Sequence, residues 1–406
     1  MKSKKVLMWV GFSLCVLGFC LLGNQSAMGA GKEILIGAPI SMTGPMAADG
    51  IEQRWAYEQA VAEFNKKGGI FIKEAGKKLP IRLVFADDES ETAKVATAME
   101  KLIKMDKVDL LLSTHSAPLN IAAANAAEKY QMYYHIVTHW PEMWLPEKYK
   151  WSGLVNFSLA GASDVPFLIW EKCLKPEERP KNIALLMEDS PDGKGFGEGF
   201  KGHAKEHGYT FAVDEPWAIG AKDYSSQILK MKAKNVDAII LYGAPTDAIT
   251  LVRQIKEMKL NVKYLHGYKG TWAGEFAQAL GKDANYVICD GFWSESFPYP
   301  LCKELGKRYT EKFNKRTVSI GGFYVGPQTL LMAIERTQSY DKAKVRDALR
   351  NAEYKQTVLG DLKFDENGFA PYSQVANQWM DGKQMLFYPI APEGWKLKLA
   401  PDWGKR

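Results

Sequence analysis

Two series of short apolar runs, in which each run is followed by an amphipathic helical pattern, constrain the fold of this chain most strongly. The first series has apolar runs at 33–37, 81–85, 108–112 and 133–137, and helical patterns at 51–64, 92–105 and 117–130. The second series has apolar runs at 183–187, 209–213, 238–242 and 262–265, and helical patterns at 196–207, 225–234 and 246–258. Strands that alternate with helices of this length form parallel sheets covered by helices on both faces. The sequence therefore predicts an α/β protein with two doubly wound parallel-sheet lobes.

The first thirty residues have the pattern of a targeting segment. Three lysines among the first five residues precede an apolar run over 6–22, and small residues follow at 27–30. The run is near the shortest length that crosses a bilayer, so an uncleaved anchor is one alternative. A lipoprotein is another, because Cys20 ends a weak lipobox-like pattern. We interpret residues 1–30 as a signal peptide, which predicts a periplasmic protein.

Charge and cysteine content exclude two classes of protein. Without the three signal lysines the formal net charge falls from +6 to about +3, which is too small to indicate nucleic-acid binding. Beyond the signal only Cys173, Cys289 and Cys302 remain, so at most one disulfide can form. We therefore expect neither a nucleic-acid partner nor a disulfide scaffold.

Five segments carry a pattern that is specific when they are taken together. They are IGAPISMTGP at 36–45, NKKGGI at 65–70 followed by Asp87-Asp88, GAKDYS at 220–225, Arg253-Gln254, and GDLKFDENG at 360–368. In these segments, which span about residues 33–370, the chain resembles the leucine/isoleucine/valine-binding type of periplasmic binding protein. That family is a branch of the type I solute-binding fold.

The resemblance implies two lobes, joined by hinge crossovers, that close over a buried solute. We expect lobe 1 to comprise residues 31–143 and 270–350, and lobe 2 to comprise 144–269 and 351–406. The implied role is that of the solute-binding protein of an ABC importer, whose partner is a membrane permease. The preferred solute is a branched-chain amino acid or a related small carboxylate. We also expect a monomer without a cofactor or a bound metal.

One loop of lobe 1, between a strand and a helix, is the first candidate for holding the carboxylate of the solute. Helix amino termini at the carboxyl ends of parallel strands suit anions. The family uses the loop that contains His115 and Ser116, helped here by the amide of Ala117. The alternative is that Ser116 only caps the helix.

A second loop of lobe 1 follows the next strand. The resemblance places a hydroxyl-bearing residue there for the same carboxylate, and the alignment leaves Thr138 and His139 as alternatives. We expect Trp140 to line the pocket.

Candidates in lobe 2 bear on the other end of the solute. Asp247 matches the acidic position that receives an amino-acid ammonium in the family, although an acid at a helix start also complements the helix dipole. Phe196 stands where the family has a tyrosine that helps hold the ammonium, and this weakens the amino-acid interpretation. Tyr268 and Trp293, with the histidines and Trp140, indicate an aromatic or larger solute; the alternative is packing in the cores.

Two segments resemble enzyme motifs. His203 and His207 fit H-x-x-E-H, a zinc peptidase pattern, but we expect a surface pair without metal. The glycines of 193–199 do not have phosphate-loop spacing, and we expect a tight turn before a helix. We therefore predict no enzymatic activity. The alternatives that stay open are an aromatic acid, amide or urea as the solute, and a ligand-sensing module of the same fold.

Overall fold

The computed structural model describes residues 32–406, so the predicted signal peptide lies outside the described residues. The strands are, in chain order, β1 Ile34–Ile40, β2 Ile70–Ile72, β3 Lys77–Leu79, β4 Ile81–Asp87, β5 Leu110–Leu112, β6 Tyr134–Ile136, β7 Ser152–Asn156, β8 Ile183–Glu188, β9 Phe211–Trp217, β10 Ala238–Gly243, β11 Tyr264–Lys269, β12 Ile288–Gly291, β13 Glu353–Thr357, β14 Gly360–Lys363, β15 Phe369–Pro371, β16 Val375–Met380 and β17 Lys383–Tyr388. The α-helices are α1 Ala47–Lys66, α2 Thr92–Glu100, α3 Ala117–Tyr130, α4 Pro141–Trp144, α5 Leu159–Cys173, α6 Pro191–Glu206, α7 Ser225–Ala233, α8 Pro245–Glu257, α9 Gly274–Leu280, α10 Cys302–Phe313, α11 Ile320–Thr337 and α12 Lys342–Leu349.

The first sheet is parallel throughout, in the order β15-β7-β6-β5-β1-β4. Helices α1 and α11 pack on one face, and α2 and α3 pack on the other. Because both faces are covered, strands such as β1 and β5 are apolar along nearly their whole length, which is the signal that predicts them. This sheet and its helices are called the first lobe.

The second sheet has the order β17-β16-β12-β11-β10-β8-β9. Strands β8 to β12 are parallel, whereas β16 and β17 form an antiparallel hairpin at one edge. Helices α5 and α6 pack on one face, and α7, α8 and α9 pack on the other. The sheet and these helices form the second lobe. The predicted α/β class with two doubly wound lobes is confirmed, and the antiparallel hairpin is an addition that the sequence analysis did not include.

Helix α6 corrects one prediction. The glycine-rich segment 193–199 is not a turn before a helix but part of α6, which begins at Pro191. The Ser190 hydroxyl accepts a hydrogen bond from the Gly193 amide (3.0 Å), and proline suits the first helical position. This start overcomes the low helix propensity of the glycines.

The predicted lobe intervals and the observed sheets differ for three strands. Strands β7 and β15 belong to the first sheet, and β12 belongs to the second. The chain therefore passes between the lobes at 157–158, 292–301 and 372–374. The physical reason is that β7 pairs with both β6 and β15, so partners far apart in sequence decide its sheet.

Several remaining features bear on the predictions. Cys173, Cys289 and Cys302 form no disulfide among residues 32–406. Two short antiparallel hairpins, β2-β3 and β13-β14, extend the first lobe. Among the helices of residues 32–406, none combines the length and the apolar character that crossing a bilayer requires.

Candidate functional site

The carboxyl ends of the parallel strands bring the candidate residues to one edge of each sheet, where open α/β sheets bind ligands. In the first lobe this edge carries the loop 113–117 after β5 and the loop 137–140 after β6. In the second lobe it carries Glu188 at the end of β8 and Lys269 at the end of β11. The two edges meet at Trp140. We call the space between them the interlobe cleft.

Buried hydrogen bonds fix the first residues of the loop 113–117. The side-chain amide of Gln53 donates to the carbonyl oxygens of Ser113 (3.0 Å) and Thr114 (3.1 Å). The Thr114 hydroxyl donates to the buried carboxylate of Asp88, which also accepts from Ser41 (2.6 Å). These hydrogen bonds lie within the lobe and fix the backbone of the loop below its tip.

Ser116 lies at that tip in an unusual conformation. Its backbone has φ 71° and ψ 154°, and its side chain makes no hydrogen bond that caps α3. Residues other than glycine rarely adopt this region, and such strain costs on the order of 1–3 kcal/mol and is concentrated at ligand-binding sites. Ordinary capping by the Ser116 side chain is therefore not realised. Ala117 begins α3 and is buried.

His115 points toward its own lobe. Its Nε2 lies 3.6 Å from a carboxylate oxygen of Asp49 on α1, and its ring is edge-on to Phe323 of α11 at 5.7 Å. Its Nδ1 is buried and has no hydrogen-bond partner among the described residues. One nitrogen of His115 is thus available for a further contact.

Thr138 and His139, the two alternatives in the second loop, differ in what their side chains already contact. The Thr138 hydroxyl donates to the Thr114 carbonyl oxygen (2.8 Å) and accepts from the Asn120 side chain (3.1 Å). The His139 ring is buried, and within residues 32–406 neither of its nitrogens has a hydrogen-bond partner. Burial lowers the pKa of His139 to about 4, so the ring is neutral near pH 7. A neutral imidazole offers one donor and one acceptor.

Trp140 and Phe196 are brought together across the cleft. The Trp140 indole N–H donates to Asp192 of α6 (3.2 Å), and its ring is edge-on to Phe196 at 5.4 Å. Phe196 is completely buried and stacks on Tyr242 with a centroid distance of 4.6 Å. The interface of the two lobes is therefore aromatic at this point, with one polar bond.

Three other predicted site residues have contacts within their own lobes. Both carboxylate oxygens of Asp247 accept from the Gly220 amide (3.1 Å each), which ties down the loop after β9. The Tyr268 hydroxyl donates to the Ala162 carbonyl oxygen (2.9 Å) inside the second lobe. Trp293 is buried in the core of the first lobe, where its indole N–H donates to the Cys302 thiol (3.3 Å). Of the three, Tyr268 also packs near the cleft, because its ring centre lies 5.6 Å from that of Phe196, which contacts Trp140.

Each of the three crossovers carries an aromatic residue, and these residues contact one another. Phe157 stacks on Phe292 at 5.4 Å and is edge-on to Tyr372 at 5.8 Å. The Tyr372 hydroxyl donates to the side-chain oxygen of Asn156 (3.2 Å). The side-chain NH2 of Asn156 donates in turn to the backbone oxygen of His139 (2.8 Å). These bonds connect the crossovers to His139, whose ring nitrogens have no hydrogen-bond partner among the described residues. The sequence analysis missed this cluster, because the strands that deliver it were not assigned.

In the second lobe, acidic side chains surround the aromatic ring of Tyr242, and the sequence analysis missed this group of acids. Burial, followed by the carboxylates of Asp192, Glu188 and Asp290, raises the pKa of Tyr242. Asp290 is itself buried, and burial raises its pKa although the Trp272 indole and the Gln374 amide donate to it. The one available signal in the sequence was position, since Glu188 and Asp290 occupy the ends of buried strands.

The H-x-x-E-H histidines form a cluster with acids away from the cleft. His207 donates to Asp164 and Glu171 (2.7 Å each), and His203 donates to Glu206 (2.8 Å). Within residues 32–406 no group of histidine, cysteine or acidic side chains has an arrangement that holds a metal ion.

His207 makes stability depend on pH. Partial burial lowers its pKa, but the bonds to Glu171 and Asp164 raise it by more, and the net pKa lies above the ordinary 6.5. The folded state therefore binds a proton more tightly than the unfolded state, and this contribution is complete below pH 6.5 and is lost as pH rises through the folded pKa. We expect His207→Gln to lower the free energy of unfolding more at about pH 5.5 than at about pH 9, as measured by urea unfolding. Asp164→Asn should reduce this difference, and equal losses at both pH values would contradict the assignment.

The comparisons with known proteins agree with this architecture. The model of the family described as periplasmic binding protein matches residues 33–377. The chain belongs to this family. It is 25% identical over 374 residues to Leu/Ile/Val-binding protein homolog 2 of Brucella abortus. This alignment covers 91% of this chain and 95% of that protein.

Two solved structures illustrate the fold and the range of solutes. The substrate-binding protein LivJ of Streptococcus pneumoniae, a branched-chain amino acid transporter protein solved with isoleucine, superposes with a TM-score of 0.73 at 22% identity, covering 87% of this chain and 98% of that one. A solute-binding protein of an ABC transporter from Rhodopseudomonas palustris, solved with 3,4-dihydroxybenzoic acid, gives 0.72 at 19% identity, covering 93% and 100%. The type I periplasmic binding fold, as the resemblance implied, is confirmed.

Proposed function

We propose that this protein binds one small carboxylate-bearing solute in the interlobe cleft and delivers it to the permease of an ABC importer. The observation that carries the proposal is His139, whose buried ring nitrogens have no partner among the described residues. A buried polar group without a hydrogen bond costs about 1–3 kcal/mol, so a solute that supplies the bond recovers this energy.

The first lobe would hold the carboxylate. The neutral His139 ring would donate one hydrogen bond, and the Ser116 hydroxyl, which does not cap α3, would donate another. The amides at the start of α3, beginning with Ala117, add the positive end of the helix dipole. Thr138 would position this loop through its bond to Thr114 rather than contact the solute.

Closure of the cleft would depend on contacts that the solute makes with both lobes at once. A ligand shifts a conformational equilibrium only by its difference in affinity for the two states. Trp140 and the crossover residues Phe157 and Tyr372 would form the aromatic wall that completes the pocket in the closed state. The solute is released to the permease unchanged, and we propose no catalytic step.

A branched-chain amino acid is the first candidate for the solute, on the strength of the family and its Leu/Ile/Val-binding relatives. An aromatic acid is the second candidate, because Trp140, Phe157 and Phe196 offer rings at the cleft and Phe196 replaces the family tyrosine. The structural neighbour that binds 3,4-dihydroxybenzoic acid supports this second candidate. Either solute has the carboxylate that the first lobe would bind.

Thermal unfolding of the mature chain with a panel of carboxylates tests the proposal. At 100 times its dissociation constant, a solute that binds only the folded state stabilises it by about 2.7 kcal/mol, which raises the unfolding temperature. We expect a shift with leucine, isoleucine or valine, or with benzoate and 3,4-dihydroxybenzoate if the second candidate is right. Leucinamide and benzamide, which lack the carboxylate, are matched controls and should have much smaller effects. The absence of a shift with every carboxylate would refute the proposal.

The setting of this function is also part of the proposal. We propose that the protein is monomeric and works in the periplasm after removal of the signal peptide at residues 1–30. Size-exclusion chromatography with light scattering, and mass analysis of the exported chain, test these two points.

A further inference from the structure

Lys315 joins the two lobes through an ion pair beside the crossovers. It lies in the loop 314–319 between α10 and α11, and both helices pack in the core of the first lobe. Its ammonium donates to a carboxylate oxygen of Glu275 (2.7 Å) on α9 of the second lobe. The next residue, Arg316, donates to Glu295 of the second crossover. The loop therefore contacts both the second lobe and the chain that connects the two lobes.

The same loop and α9 also touch through groups without charge. The Gln278 side-chain amide donates to the backbone oxygen of Asn314 (3.3 Å). A Cβ atom at Gly274 would lie 2.9 Å from the Cβ of Lys315, so the start of α9 lies directly against the loop. At a separate place, Trp140 of the first lobe bonds to the second lobe. Because the partners in each contact belong to different lobes, a rotation of the lobes about the crossovers changes the distances between them.

A buried acid of the first lobe holds the Lys315 ammonium in place. Glu52 of α1 is 7% exposed, and one of its oxygens lies 3.3 Å from this ammonium. Its carboxylate also accepts from the hydroxyls of Tyr309, Thr317 and Ser319. A buried charge is costly unless it is paired, so Glu52 needs the ammonium whether or not the lobes are in contact.

This arrangement distinguishes Lys315 from the lysines of ordinary surface ion pairs. The Lys315 side chain is 17% exposed, whereas that of Lys256, which pairs with Asp283 within the second lobe, is 47% exposed. Surface pairs contribute little, because two long side chains must be immobilised and because salt screens the charges. Glu52 already immobilises Lys315, so the pair with Glu275 carries less of that cost.

We propose that Lys315 is an interlobe latch: its ion pair with Glu275 stabilises the closed arrangement of the lobes, and the pair separates when the cleft opens. Glu52 is a positioning residue, because it holds the ammonium at the surface of the first lobe in either arrangement. A solute that binds only the closed arrangement has an apparent affinity proportional to the fraction of the protein that is closed. The latch therefore raises the affinity for every such solute by the same factor and contacts none of them. This consequence for binding rests on the proposed function, whereas the latch itself does not.

The first test measures the distance between the lobes without any solute. Spin labels at Met105→Cys in the first lobe and Leu229→Cys in the second report this distance by pulsed electron paramagnetic resonance, since the two native side chains are 74% and 58% exposed. Cys173→Ser removes the exposed native thiol, and Cys289 and Cys302 are buried. The protein with these three changes is the parent for the comparison.

Breaking the ion pair from either side should open the parent protein. Lys315→Met and Glu275→Gln should each lower the ratio of closed to open protein by about 3- to 10-fold, between the effect of an exposed ion pair and that of a hydrogen bond to a charged group. The double variant should do no more than either single change, because both remove the same interaction. Raising the salt concentration from about 0.05 M to about 1 M should move the parent toward the variants and leave the double variant unchanged. Lys256→Met breaks a pair within one lobe and is the matched control, which should not alter the distance.

The second test asks whether the latch acts on binding without contacting the solute. Calorimetry on leucine, valine, benzoate and 3,4-dihydroxybenzoate identifies those that bind. For each of these, Glu275→Gln should weaken binding by one common factor, because the change acts on the closed fraction alone. A loss confined to one solute would mean that Glu275 contacts it, and the latch would be wrong.

Equal distance distributions in the parent, Lys315→Met and Glu275→Gln would also overturn the inference. If Lys315→Met does not fold, Glu275→Gln decides, because the Glu275 side chain is 49% exposed and its change leaves Glu52 paired with Lys315. If the distances shift as expected and none of the four carboxylates binds, the latch stands and the proposed function fails.

Discussion

Replacing His139 with leucine should weaken solute binding by about 10- to 100-fold, while the solute-free protein becomes as stable as the wild type or more stable by about 1 kcal/mol. The two effects have opposite signs for one reason. The imidazole nitrogens are buried without hydrogen-bond partners among residues 32–406, so an apolar side chain of similar volume loses no hydrogen bond there and removes a desolvation cost. The same change removes the donor that the solute would use. Calorimetry gives the affinity, and urea unfolding without solute gives the stability.

Thr138→Val is the matched control for this experiment, because it alters the neighbouring residue of the same loop. Its hydroxyl already donates to the Thr114 carbonyl oxygen, so the variant should lose about 1 kcal/mol of stability and show a smaller change in affinity. If Thr138→Val abolishes binding and His139→Leu leaves it intact, the hydroxyl is the carboxylate ligand and His139 is a core residue.

Trp293→Ala should lower the free energy of unfolding by about 3–5 kcal/mol, the loss typical of removing a buried large aromatic side chain. Trp293 is 1% exposed in the core of the first lobe, and its ring lies where any side chain at Gly321 of α11 would collide with it. Urea unfolding measures the loss, and the rise in unfolding temperature caused by the solute should persist in the folded variant.

Phe71→Ala provides the comparison, since Phe71 is 41% exposed and its truncation should change stability by only about 0.5 kcal/mol. Trp293 would instead be a pocket residue if its removal left the unfolding free energy unchanged and eliminated the response to the solute. The two measurements therefore distinguish a core tryptophan from a binding one.

The alternation of strands and helices was predictable because it rests on local patterns. Strands such as β8 and β10 are buried along their whole length and flanked by amphipathic helices, which the sequence displays directly. Helix α5 was not assigned, and its interior proline, Pro166, argues against a helix in the sequence. Packing of Phe167 and Trp170 against the second sheet stabilises it nevertheless.

The candidate loops of the first lobe were easier to locate from the sequence than the candidate groups of the second. Loops that follow strands and begin helices can be located from position, and the family resemblance named Ser116 in one loop and Thr138 or His139, with Trp140, in the next. Whether a side chain in such a loop is free or occupied depends on partners elsewhere in the chain. Asp247 accepts from the amide of Gly220, 27 residues away, whereas one carboxylate oxygen of Glu188 has no hydrogen-bond partner within residues 32–406; the sequence contains no signal of either fact.

The sequence by itself determined the class of fold and the family, because hydrophobic periodicity and short motifs are properties of neighbouring residues. Only the tertiary structure decided which sheet receives β7, β12 and β15, and hence where the chain crosses between the lobes. It also decided that the crossovers bring Phe157, Phe292 and Tyr372 into one cluster beside His139. These outcomes depend on strand pairing and side-chain contacts between residues as many as 216 positions apart, where no local preference acts.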